Sequence, residues 1–161
     1  MDARTNKDNY YLDIADAVSK RATCLRRRYG AILVREDEIL ATGYNGAPRS
    51  RRNCTEIGNC TREELCIPPG ERYELCRSVH AEMNCIISAA RRDMIGSVLY
   101  LVGREVKTGA LIQHTTSCPM CRRHIINAGI TKVVSRDTPD IYTVTLVRDW
   151  VFNDDSLAST L

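Results

Sequence analysis

One tryptophan and one phenylalanine stand among 161 residues, and aromatic residues make up only 6% of the chain. A surface that reads single-stranded nucleic acid needs stacking platforms and a basic field. With 23 basic against 20 acidic residues the net charge is only +3, so both are scarce and a polynucleotide partner is not expected. No apolar run approaches the roughly 18 residues that a spanning helix requires. Residues 1–9 are polar with acids included, so neither a membrane segment nor a secretory leader is expected. The balance of 43% apolar and 27% charged residues is that of a globular protein, and the length suits one domain over residues 1–161. A cytoplasmic location is the expectation.

Cysteine is in excess. Eight cysteines are above ordinary usage and below the density of a small secreted disulfide scaffold. In a reducing compartment such an excess points to metal binding or catalysis before disulfides. Cys54, Cys60, Cys66 and Cys76 crowd one segment, Cys118 and Cys121 form a Cys-x-x-Cys, and Cys24 and Cys85 stand apart.

Periodicity gives the frame. Tyr11, Ile14, Ala15, Val18 and Ala22 predict a helix over residues 8–23 with Asp8 as cap. Two β-rich runs at 31–34 and 39–42 flank a charged turn and predict a hairpin. From 43 to 79 periodicity vanishes into Asn45-Gly46, Pro68-Pro69-Gly70 and the cysteines. A structureless stretch that long inside a compact domain is uncommon unless functional. Order returns with a helix over 80–92, a strand over 97–102, a hairpin extension around 107–112, a helix over 118–128 closed by Gly129, and a strand over 132–135. An alternating stretch at 142–146 and a short helix over 149–157 complete the chain. This order predicts a mixed sheet flanked by helices, a layered α/β fold.

The chemistry lies at two helix starts. His80-Ala81-Glu82 opens one and Cys118-Pro119-Met120-Cys121 the other. One imidazole and two thiolates supply three ligands of a tetrahedral zinc site with its fourth position open, the arrangement of a catalytic zinc. Glu82, two residues past His80, reaches a water in that position better than the metal itself and is placed as a proton shuttle. Taken singly, His-x-Glu is an ordinary solvated helix start, and a Cys-x-x-Cys serves equally as a redox pair or half of a structural zinc site. In this order they match the zinc deaminase signature.

The chain resembles the cytidine and deoxycytidylate deaminase superfamily, and within it the deoxycytidylate (dCMP) deaminases. The resemblance rests on Ala22-Thr23-Cys24-Leu25-Arg26-Arg27, Gly30-Ala31-Ile32-Leu33-Val34, Thr42-Gly43-Tyr44-Asn45-Gly46-Ala47-Pro48, His80-Ala81-Glu82-Met83-Asn84, Cys118-Pro119-Met120-Cys121 and Ile125-Ile126-Asn127-Ala128-Gly129-Ile130. It covers roughly residues 10–135, and departs from the usual pattern at Ser117, where proline usually precedes the cysteine pair, and at Cys85.

The resemblance implies a three-layer α/β/α cytidine-deaminase-like domain with a mixed central sheet and a cysteine-rich zinc-binding loop insertion at about 44–79. It implies zinc-dependent hydrolytic deamination of dCMP to dUMP and ammonia, supplying dUMP for thymidylate synthesis, with Glu82 as the catalytic carboxylate. Asn45 is implied as the deoxyribose contact, the Thr116 carbonyl as acceptor from the amine, and the Ala81 amide as donor to the pyrimidine carbonyl. Arg26 is the foremost phosphate contact, in competition with Arg27, Arg28, Arg49, Arg51 and Arg52. A structural zinc on Cys24, Cys54, Cys60 and Cys76 is implied, with Cys66 as the alternative to Cys60. The family further implies a homo-oligomer, often a hexamer, with dCTP (with magnesium) and dTTP as effectors acting through Gly43, Tyr44, Asn45 and Gly46. Two other functions compete: a nucleic-acid deaminase acting on tRNA adenosine or single-stranded DNA cytosine, and a non-catalytic zinc-binding interaction module.

Overall fold

The computed structural model describes residues 4–153. Five strands form one sheet in the order β2-β1-β3-β4-β5: β1 (Arg27–Arg35), β2 (Glu38–Tyr44), β3 (Val98–Glu105), β4 (Lys132–Arg136) and β5 (Tyr142–Leu146). Only the β3–β4 pair is parallel, so the sheet is mixed. A parallel pair needs a crossover, and the chain between β3 and β4 supplies it with helix α6 (Pro119–Ala128).

Strand alternation sorts the core into two layers. On one face Ala31, Leu33, Leu99, Leu101 and Val133 pack under α6 and under α4 (Ala81–Ile87), while Ile32, Val34, Tyr100, Val102 and Val134 pack under α1 (Lys7–Ser19) on the other. Helix, sheet and helix therefore form three layers, as the resemblance implies.

Element ends show where local signals hold and where long-range contacts override them. Helix α1 is capped by Asn6, whose side chain accepts from the Asn9 amide, and not by Asp8; Asp8 instead accepts from the Tyr100 hydroxyl at 2.8 Å. The helix stops at Ser19, short of Ala22, and the Ser19 hydroxyl donates back to the Asp16 carbonyl at 2.6 Å. The helix expected over 80–92 is two pieces. Helix α4 ends at Ile87, where the Ser88 hydroxyl donates to the Asn84 carbonyl at 2.8 Å, and α5 (Arg91–Met94) follows. The hairpin extension is present as an isolated bridge between Arg104 and Leu111. The last helix, α7 (Val147–Phe152), starts two residues early; residues 154–157 of the expected span lie outside the described residues.

The stretch expected to lack structure contains α2 (Cys54–Ile57), α3 (Thr61–Glu64) and a 3-10 turn (Tyr73–Leu75). It is closed at its base, where Gly46 and Val79 exchange two backbone hydrogen bonds.

Arg104 ties α1 to β3 with a two-pronged grip on Asp16, at 2.6 and 2.7 Å. The hydrogen bond and the charge of Arg104 hold the Asp16 carboxyl below its ordinary pKa. A carboxyl depressed on folding contributes stability above its unfolded pKa of about 4 and loses it as pH falls through the folded value. Asp16→Asn is therefore expected to cost about 1–2 kcal/mol at pH 7. In urea titrations across pH, the gap to the parent protein should close below about pH 4.

Candidate active site

His80 is the N-cap of α4 and Cys118 the N-cap of α6, so the first turns of two helices meet. The His80 Nδ1 atom lies 3.5 Å from the Cys118 sulfur and 3.4 Å from the Cys121 sulfur. A tetrahedral zinc with ordinary bond lengths sets its nitrogen and sulfur ligands ~3.6 Å apart, so the three donors sit at metal spacing. Among the described residues no other set of three His, Cys, Asp or Glu side chains has its ligand atoms all within 4.8 Å.

Local chemistry explains the arrangement. Pro119 sits at the first helical position, where its missing N–H costs nothing, and the Cys121 amide donates to the Cys118 sulfur at 3.4 Å. That amide, the Cys121 side chain and His80 lower the Cys118 thiol well below the ordinary value, while Cys121 is held up in turn. The arrangement favours the thiolate form that a metal ligand requires at Cys118. Burial pulls the His80 imidazole down, but its hydrogen bond to Cys118 and the nearby Glu82 carboxylate outweigh that and raise it.

Glu82 is 5% exposed in the first turn of α4. Burial raises its carboxyl above the usual carboxylate range, opposed by its own backbone amide and by His80. A carboxyl kept from water beside a set of metal-ligand side chains is suited to proton transfer.

These groups face a cavity of about 150 Å³. His80, Ala81, Glu82, Thr116 and Cys118 line it together with Asn45, Arg26, Arg27, Tyr29, Arg62 and Tyr73. Asn45 is largely committed to the scaffold: its Nδ2 donates to the Arg27 carbonyl at 2.9 Å and its Oδ1 accepts from the Tyr29 amide at 2.7 Å. Arg26 pairs with Glu63 at 3.2 Å. Arg62, Tyr29 and Tyr73 are lining residues that the sequence reading did not place here; Arg62 lies in a four-residue polar helix, Tyr73 in a 3-10 turn and Tyr29 in β1 ahead of the apolar run that marked the strand, so none carries a periodic signal of burial.

Gly43 and Gly46 have packing roles. A Cβ built on Gly43 would lie 2.3 Å from the Ala81 carbonyl oxygen and 2.5 Å from the Cys85 nitrogen, so α4 rests directly on β2 at this point. Gly43→Ala is expected to displace the helix that carries His80 and Glu82, at a cost of about 3 kcal/mol read by urea unfolding. Tyr44 alone of this tetrapeptide is exposed, at 37%.

The cysteine-rich segment makes a second concavity. Cys24, Cys54, Cys60 and Cys76 line one small cavity of about 20 Å³ together with Arg62 and Arg77, whereas Cys66 is exposed and outside it. Backbone and side chain stitch this region together: the Thr55 amide donates to the Thr23 carbonyl, and the Thr23 hydroxyl to Asn53 Oδ1 at 2.9 Å. The four sulfurs are spread more widely than the donors of the first cluster.

An imidazole and two sulfurs at zinc spacing, a buried carboxylate beside them and a cavity in front make a site that could hold one metal ion on a three-layer α/β/α fold. The chain matches the model of the cytidine and deoxycytidylate deaminase zinc-binding region over residues 5–136, and it belongs to that family. It is similar to the deoxycytidylate deaminase of Schizosaccharomyces pombe, 33% identical over 147 residues that cover 90% of this chain and 42% of the yeast protein. The chain thus spans less than half the length of that relative. It is 34% identical to the deoxycytidylate deaminase of Mycobacterium phage D29, over 82% of this chain and 95% of the phage protein. Among solved structures, the dCMP deaminase of cyanophage S-TIM5 in complex with dCMP and dUMP superposes with a TM-score of 0.57 at 26% identity, covering 83% of this chain and 85% of that one.

Proposed function

We propose that the chain catalyses hydrolytic deamination of dCMP to dUMP and ammonia, with zinc held by His80, Cys118 and Cys121. The observation that carries this reading is the three-donor cluster at metal spacing with buried Glu82 beside it. When bound in such a set, zinc acts as a Lewis acid that makes a water nucleophilic at neutral pH. The chain's own residues do the rest. Glu82 accepts a proton from the attacking water, passes it to the pyrimidine N3, and delivers a second to the departing amine, so that oxygen replaces nitrogen at C4. The Ala81 amide and Thr116 carbonyl, both from residues that line the cavity, suit the pyrimidine carbonyl and the amine. Asn45 keeps one N–H and one lone pair for a deoxyribose hydroxyl. A free nucleotide is favoured over a polynucleotide by the low net charge and the scarcity of aromatic residues.

The test is a panel of dCMP, CMP, deoxycytidine, dCTP, single-stranded DNA and tRNA, followed by ammonia release from the zinc-loaded protein. dCMP should be turned over best; turnover of polynucleotide alone overturns the proposal.

We extend the proposal to a structural zinc on Cys24, Cys54, Cys60 and Cys76, supported by the four cysteines meeting at one cavity. Four thiolates around one zinc carry a formal charge of −2, which Arg62 and Arg77 on the same cavity are placed to answer. We take residues 1–161 as one domain with the insertion at about 44–79. On the family likeness it forms a homo-oligomer, often a hexamer, with magnesium dCTP and dTTP as effectors. Its eight unpaired thiols favour a cytoplasmic setting. No helix among the described residues is long and apolar enough to cross a membrane. Rates unchanged by magnesium dCTP and dTTP would remove the effector part.

A further inference from the structure

We propose that Arg62 selects nucleotide over nucleoside by holding the 5′-phosphate of the substrate, an inference that rests on the nucleotide-deaminase reading above. Arg62 lies in α3, inside the cysteine-rich excursion, and is only 4% exposed. It lines the same cavity as His80 and Glu82. Its guanidinium sits 4.5 Å over the Tyr73 ring, and one Nη donates to the Pro68 carbonyl at 2.7 Å. Its buried Nε has no partner, and among the described residues it forms no ion pair with a carboxylate.

A guanidinium is always charged and carries five donors in a planar fork that matches phosphate oxygens. Burying such a group with a donor unanswered and no carboxylate partner is unfavourable. Its retention in a cavity wall therefore points to an anion that enters with the ligand. The other arginines on that wall are already answered: Arg26 pairs with Glu63 at 3.2 Å and Arg27 with Glu105 at 3.1 Å.

Tyr73 also links the cation to the three-donor set. It carries Arg62 on its face and meets the His80 ring edge-on at 5.0 Å, so Arg62 and His80 flank one aromatic ring of the cavity lining. A phosphomonoester dianion in that cavity would answer the guanidinium charge, while the stacking on Tyr73 keeps the guanidinium from turning away.

Arg62 also lines the four-cysteine cavity, which gives it a second possible task as counter-charge to the thiolates. The experiment separates the two. In zinc-loaded Arg62→Gln, kcat/KM for dCMP is expected to fall at least a hundredfold, with deoxycytidine changed by less than threefold. By titration calorimetry, dUMP should weaken by a similar factor and deoxyuridine should not. Arg62→Lys should recover part of the dCMP rate, because it restores the charge without the fork. Equal losses on both substrates, or loss of zinc with both, overturn the proposal and assign Arg62 to the cysteine cavity. A parent protein that turned over no dCMP would instead defeat the deaminase reading, while selective binding of dUMP over deoxyuridine would still report on Arg62. Where the Gln variant does not fold, crystals of the parent protein soaked with dUMP decide the matter. A phosphate oxygen should lie within hydrogen-bond distance of Arg62, and a phosphate seated on Arg26 or Arg27 alone overturns the proposal.

Discussion

Glu82→Gln is expected to lower kcat on dCMP by about 10³–10⁴-fold while leaving both zinc content and fold intact. The glutamine keeps the shape and one acceptor oxygen but has no site that takes a proton near neutrality, so every transfer assigned to Glu82 is lost together. General acid–base catalysis contributes about 10²–10⁴-fold, and a single group that serves two leaving and accepting atoms belongs at the upper end; 10⁴-fold corresponds to about 5.5 kcal/mol in the barrier. Stability should move the other way. Burial already raises the Glu82 carboxyl, which means that holding it ionised in a site 5% exposed is unfavourable. Replacing it by a neutral amide relieves that cost, and the thermal midpoint of the variant should equal or exceed that of the parent. Ammonia release and metal analysis on one preparation check both halves. Retained turnover, within tenfold of the parent, would remove Glu82 from the chemistry.

Much of this site was legible because its signals are local. His80 and Cys118 each fall at a helix N-cap, and the Cys118-Pro119 start and Gly129 stop put the limits of α6 within a residue of their expected places. The apolar run in β1 was equally plain, and the structure divides it between two packed faces, Ala31 and Leu33 on one and Ile32 and Val34 on the other. What escaped reading depends on contacts far along the chain. The Gly46–Val79 bridge closes a loop whose two ends share no pattern. Ser88 ends α4 with a side-chain hydrogen bond although Ile86 and Ile87 continue a helical repeat, and Ile87 proves exposed at 60%. Arg62 occupies a four-residue helix of polar composition, where its sequence reads as solvated charge, yet the Pro68 carbonyl and the Tyr73 ring enclose it. Asn45 shows the same limit from the other side. It was singled out through the resemblance of Gly43-Tyr44-Asn45-Gly46, but its bonds to Arg27 and Tyr29 were not visible.

Removing one thiol from the second concavity should have the largest effect on stability of any surface-loop change in this protein. Between residues 47 and 79 only Cys54 and Arg62 are buried, so the excursion has almost no apolar core with which to offset the conformational entropy of ordering it. Its backbone bridge at Gly46 and Val79 closes the base but does not hold the interior. Cys54 is the buried member of the four, and burial together with the proximity of Cys24, Cys76 and Cys60 raises its thiol. Four thiols that repel one another when ionised are a liability without a cation between them and an asset with one. A structural zinc contributes about 10 kcal/mol at neutral pH and draws the sulfurs together. The parent protein should therefore carry two zinc ions per chain. Cys54→Ala should carry one, melt more than 10 °C lower and become open to proteolysis within residues 47–79. Cys66→Ala should keep both ions and the parental melting temperature, because Cys66 is exposed and outside the cavity. The active site would feel the loss as well, since Cys76 stands four residues before His80 and Arg62 stands in both cavities. A single zinc per chain in the parent protein, or two retained in Cys54→Ala, would leave the excursion without its organising ion and return Cys24, Cys54, Cys60 and Cys76 to the role of ordinary packed thiols.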